Sequence, residues 1–210
     1  STHIVGGEIF YDCLGGNNYH ITLKLYRDCI NGLAPYDNPA SIGVFNSSGV
    51  LVHNLLVSFP GSVPVPNSAN PCMVPPTNIC VEEAIYDTVV NLPPIPGGYD
   101  LTYQRCCRNN TILNLVNPQD VGATYTCHIP DAALAVCNSS PRFNKFPPIF
   151  LCVNNPVNFD HSATDPDGDL LVYEFANPYE GATKLSPMPQ PPAAPGYISA
   201  PFQTPYSATY

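Results

Sequence analysis

YHITLKLYRDC, residues 19–29, repeats with a period of two: Ile21, Leu23 and Leu25 fall on one side, His20, Thr22, Lys24 and Tyr26 on the other. Successive side chains of a strand point to opposite faces of a sheet, so this stretch reads as a half-buried β-strand. Upstream, THIVGGEIFYDC alternates more loosely, and LGGNN between the two is a turn, which makes them a hairpin. Downstream, SIGVFN and VLVHNLLVSF form a second hairpin around Ser47-Ser48-Gly49. VEEAIYDTVVNLP and GGYDLTYQRCC, joined by PIPGG, read as a third, and GATYTCHIP is a further strand. Residues 130–136, PDAALAV, are the one stretch that suits a turn or two of helix, with Pro130 near its start.

The composition agrees with this all-β reading. The 210 residues include 26 prolines and 14 glycines, which favour short strands joined by turns over long helices. Charged residues make up only 11% of the chain, so Asn, Ser, Thr, Pro, Gly and Tyr must build much of its surface. The net charge of −9 argues against nucleic acid as a partner, because phosphate binding needs clustered Lys and Arg. No stretch approaches the ~20 apolar residues of a membrane-spanning helix. The N-terminal STHIVGGEIFYDC enters a strand at once, as a mature N-terminus does.

Nine cysteines are dispersed along the chain with no C-x-x-C pair, which points to disulfides and an oxidising compartment. Cys72 and Cys80 bracket a short Pro-rich loop and are expected to bridge it. The adjacent Cys106 and Cys107 are expected to reach two different strands.

A boundary is expected near residue 145, where NSSPRFNKFPP reads as a linker. Residues 1–145 form one β-sandwich, and residues 146–210 begin a second immunoglobulin-like module that is incomplete and ends in a Pro-rich tail. The acidic turn Asp165-Pro166-Asp167-Gly168-Asp169 runs into a strand over 170–175, yet a sandwich of this type needs roughly 100 residues. Either the module continues in a longer polypeptide, or a neighbouring subunit supplies the missing strand. For the second case, the Pro-rich tail and the N-terminal STHIVGGEIF are the candidate donors.

Three blocks carry a resemblance: HIVGGEIFYDCLGGNNYHITLKLYRDC, GYDLTYQRCCRN and FPPIFLCVNNPVNFDHSATDPDGDLLVYEF. Together they resemble the N-terminal region of large secreted cell-surface proteins of Bacteroidetes, a group exported by the type IX secretion system and including gliding-motility-associated members. The likeness covers about residues 3–176. It implies an exported, extracellular or cell-surface β-rich protein and supplies no activity. The group's O-linked glycosylation signal, Asp followed by Ser or Thr and a small or aliphatic residue, is matched at Asp87-Thr88-Val89, which makes Thr88 the candidate acceptor.

Asp165, Asp167 and Asp169 resemble the calcium-associated turns of cadherin-like and PKD-like modules, with Asp160 and Glu174 as further oxygen donors. The alternative is an acidic turn whose carboxylates cap local amides. None of the five histidines has the spacing of a helical metal site, and no nucleophile elbow or phosphate loop is present. The expected function is therefore structural, not enzymatic: assembly with copies of the same chain into a fibre or appendage, with strand donation as the candidate route. The rival is a ligand-binding end of a large adhesin that recognises a glycan or a host or surface protein.

Overall fold

The computed structural model describes residues 4–66, 76–151 and 154–208. In chain order the strands are β1 (Ile4–Gly15), β2 (Asn18–Asp28), β3 (Ala40–Asn46), β4 (Leu51–Val57), β5 (Val63–Pro64), β6 (Val81–Asn91), β7 (Tyr99–Arg105), β8 (Ala123–Ile129), β9 (Arg142–Phe143) and β10 (Ala163–Thr164). One four-stranded sheet has the order β1-β2-β6-β5 and the other β4-β3-β7-β8, while β9 and β10 form a separate two-stranded ladder. Every ladder is antiparallel.

The expected face of β2 is the core face. Ile21, Leu23 and Leu25 join Ile9, Tyr11, Ala84 and Tyr86 from their own sheet and Ile42, Val44, Leu101, Tyr103 and Ile129 from the other. Two sheets thus cover each other's apolar faces, as in a β-sandwich. The first two expected hairpins are present as β1–β2 and β3–β4. The β3–β4 turn is held by Asn46, whose Oδ1 accepts from the amides of Ser48 and Val50, with Gly49 at φ 73°.

The third expected hairpin does not form. β6 pairs with β2 and β5, and β7 pairs with β3 and β8, so residues 92–98 cross from one sheet to the other. Leu92 is buried in the core, and the Tyr99 hydroxyl donates to the Pro93 carbonyl, which anchors the crossing. Residues 130–136 make one turn, with the amides of Leu134 and Ala135 both donating to the Asp131 carbonyl.

Two cysteine expectations are corrected. Cys80 pairs with Cys29, beside the bond from the Cys29 amide to the Cys80 carbonyl, so a Cys72–Cys80 bridge is excluded; Cys72 itself lies outside the described residues. Cys106 and Cys107 are bonded to each other and do not reach separate strands. A third disulfide, Cys13–Cys137, closes a separation of 124 residues. Beside it, the Tyr11 amide donates to Ser140 Oγ and the Ser140 amide to the Tyr11 carbonyl, which fastens residues 137–140 to β1. Replacing Cys13 and Cys137 together by Ser is expected to cost about 2–4 kcal/mol, because the open chain regains its loop entropy. A denaturant titration of the double variant checks this.

The Pro-rich tail lies across the outer face of the β4-β3-β7-β8 sheet. The Cys106 amide donates to the Pro187 carbonyl and the Ala193 amide to Gln104 Oε1, while Thr102 Oγ1 bonds the Tyr197 hydroxyl. Tyr179 bridges both Thr124 and Ser199. Gly122 and Gly181 make this seating close: a Cβ on Gly122 would collide with the Gly181 carbonyl, and one on Gly181 with Thr124 Oγ1. Gly181→Ala is therefore expected to loosen the tail at a cost of about 1–3 kcal/mol. Faster proteolytic cleavage within residues 176–208 would report it.

Candidate functional site: an unpaired strand, an uncharged edge and an aromatic cleft

Residues 170–175, LLVYEF, are apolar at every position but Glu174, and they belong to no ladder. Leu170, Val172 and Phe175 are 93%, 86% and 89% exposed. Burying such side chains is worth about 1.5–3 kcal/mol each, so the three together forgo on the order of 5 kcal/mol. That is comparable with the whole net stability of a small domain. The segment is fixed at its start, where Asp165 Oδ1 accepts from the amides of Asp167 and Asp169, and at Tyr173, whose hydroxyl accepts from the Ala163 amide.

Those same bonds decide what the acidic turn does. Asp165 caps its own turn, and Asp167 Oδ2 accepts from the Ser139 amide at 2.5 Å. Asp160 is paired with Lys145; that bond, with those from Ser162, holds its carboxyl down at about 2. Glu174 sits on the exposed strand. Among the described residues no group of three or more His, Cys, Asp or Glu side chains is placed to hold a metal ion. Asp165 and Asp167 thus cap amides, and Asp167 ties the turn to residue 139. Thr88 lies within β6, half-buried on the side that carries Tyr86 and Val90 into the core, and not in an open loop.

The two donor candidates drawn from the sequence are both in use. β1 is paired along its length with β2, and the tail is bound to the second sheet. The segment with unmet strand character is 170–175. Its run of apolar residues is readable in the sequence, whereas its lack of a partner is visible only once every other strand has been placed.

A sheet edge exposes unpaired amides and carbonyls, and proteins normally blunt it. Serines 139 and 140 cover part of β1, and the Asn109 amide bonds the Ile4 carbonyl. β5 carries Pro64. β8 is bridged at Thr124 by Tyr179. β4 differs: among the described residues nothing is hydrogen-bonded along its outer edge. It is also apolar, with Leu51, Val52 and Leu56 exposed. From residue 38 to residue 81 the chain has no Asp, Glu, Lys or Arg, although it carries 16 acidic and 7 basic residues elsewhere. This run contains all of β3, β4 and β5, so one flank of the sandwich is free of formal charge. The signal lies in the sequence as a gap in charge and not as a motif.

A cleft of about 790 Å³ opens on the outer face of the other sheet. Its floor is Gly6, Glu8, Lys24 and Tyr26, and its walls are Val63–Pro66 and the segment around Phe143, Phe146 and Phe159. Tyr26 and Phe146 meet at a tilt of 54° with ring centres 4.7 Å apart, and Phe159 meets His161 edge-on at 4.5 Å. The floor charges are matched: Lys24 Nζ lies 3.2 Å from Glu8, and the Tyr26 hydroxyl donates to Glu83 at 3.0 Å. Burial, with Glu83 alongside, raises the Tyr26 phenol well above its ordinary range.

Cys127, the unpaired cysteine among the described residues, sits in the seam between β8 and residue 140, with its sulfur 3.5 Å from Ser140 Oγ. Burial pushes its thiol up, away from the reactive thiolate. The chain matches no protein-family model, no curated protein and no solved structure.

Proposed function

We propose that this is an extracellular structural protein of the bacterial cell surface that assembles with copies of itself by strand donation, and that it has no catalytic role. The observation that carries the reading is the unpaired apolar segment at 170–175, displayed by a disulfide-stapled sandwich. A strand left in this state is satisfied by pairing with another sheet, and repeated head-to-tail pairing builds a filament. Three disulfides among the described residues support an oxidising compartment, and low charge with many Pro and Asn suits a protein that persists outside cells. Sedimentation velocity across a concentration series, with negative-stain microscopy of the most concentrated sample, tests it. Growing polymers and regular filaments are expected. A single monomeric boundary at every concentration would refute it.

A second reading, ligand recognition by an adhesin, is favoured by the cleft. Its volume falls in the usual range of small-ligand sites, and its aromatic rings and internally matched charges suit a neutral sugar over a charged ligand. Screening against a panel of neutral glycans, with Phe146→Ala as the control, separates this reading from the first.

A further inference from the structure

We infer that the acceptor for the 170–175 strand is the outer edge of β4 in a second copy of the chain. The inference rests on the proposed self-assembly and names its interface. A donated strand needs an open edge of similar length, and β4 is seven residues long against six in the donor. Of the four sheet edges, β1, β5 and β8 are each partly covered or interrupted by proline, while β4 is not.

Charge makes the same selection. The donor carries Glu174 and follows Asp165, Asp167 and Asp169. An edge bearing carboxylates would repel it, and each copy already carries a net charge of −9. β4 presents Leu51, Val52, His53, Asn54, Leu55, Leu56 and Val57, with no carboxylate, inside the uncharged run of residues 38–81. The contact is heterologous: donor and acceptor are different surfaces. Each added copy therefore leaves one donor and one acceptor free, which yields an open chain of subunits and not a closed dimer.

The test uses the full chain in a background of Cys72→Ser, Cys127→Ser and Cys152→Ser, which removes every cysteine outside the three described disulfides. One preparation carries Val172→Cys, and two others carry Val52→Cys or Leu56→Cys, at opposite ends of β4 so that either register brings one pair close. A short bismaleimide is added to each preparation alone and to mixtures, with the background protein as control. Cross-linked dimer is expected only when the Val172→Cys chain is mixed with a β4 variant. Leu56→Glu, which sets a carboxylate against the acidic donor, is expected to move self-association to concentrations about tenfold higher or more. Cross-linking of a β4 variant with itself would overturn the inference, because the edges would then pair symmetrically. Undiminished association with no mixed product would place the acceptor elsewhere and overturn it too. Absence of association in sedimentation would be a failure of the proposed function itself, and is thereby distinguished from both.

Discussion

Raising the pH from 10 to 12 is expected to unfold the sandwich. Tyr11, Tyr86 and Tyr103 are almost fully buried, and burial raises all three phenols, Tyr11 to about 12 and Tyr103 well above its ordinary value. Tyr103 is pushed further by the adjacent Asp37 carboxylate, to which its hydroxyl donates. Below pH 10 both folded and unfolded chains keep these protons, and the phenols contribute no pH dependence. Above it the unfolded chain releases protons that the folded chain retains, so stability falls as pH climbs toward the folded values. Each group contributes about 1.4 kcal/mol per pH unit, and three give about 4 kcal/mol per unit. Two units exceed the margin of most domains of this size. Absorbance at 295 nm and far-UV circular dichroism, followed together, should show the buried tyrosines ionising in the same step as the β signal is lost. Smooth titration of every tyrosine near pH 10 with the β signal intact would contradict this.

Arg105→Met is expected to cost about 3–5 kcal/mol. Asp37 and Arg105 lie together under the β3-β7 side of the core, with side chains 3% and 6% exposed and Nε 2.8 Å from Oδ1. Tyr103 donates to Asp37 Oδ2 and Tyr86 to the Asp37 carbonyl, each at 2.8 Å. Arg105 Nη1 also donates to the Pro187 carbonyl, so the same guanidinium holds the tail on the sheet. Burial raises the Asp37 carboxyl, and the Arg105 charge followed by the Tyr103 bond offsets part of that rise. Removing Arg105 strands a carboxylate that has no other cation beside it among the described residues. Adding Asp37→Leu to Arg105→Met removes the stranded charge and should recover part of the loss. Urea midpoints of the single and double variants measure both. A double variant less stable than the single one would show that the pair is not the source of the effect.

The sheet faces were legible from the sequence because alternation is a local property. Ile21, Leu23 and Leu25 point where their spacing says, and β1, β3, β4, β7 and β8 form where strands are expected. Partner choice is not local. The seven residues 92–98 suit a hairpin as well as a crossing between sheets, and only the burial of Leu92 with both sheets in place separates the two. Cysteine connectivity fails for the same reason: Cys80 is near Cys72 in sequence but beside Cys29 in space. At the acidic turn the residue types supply carboxylates that suit a cation or backbone amides equally. The bonds from Asp165 and Asp167 show them facing amides.

Hydrogen exchange of the intact chain at low and high concentration tests strand donation most directly. Amides of residues 170–175 should exchange freely in dilute solution and become protected, together with outward-facing amides of β4, as concentration rises. Free exchange of 170–175 at every concentration, or protection already complete at the lowest, would contradict it.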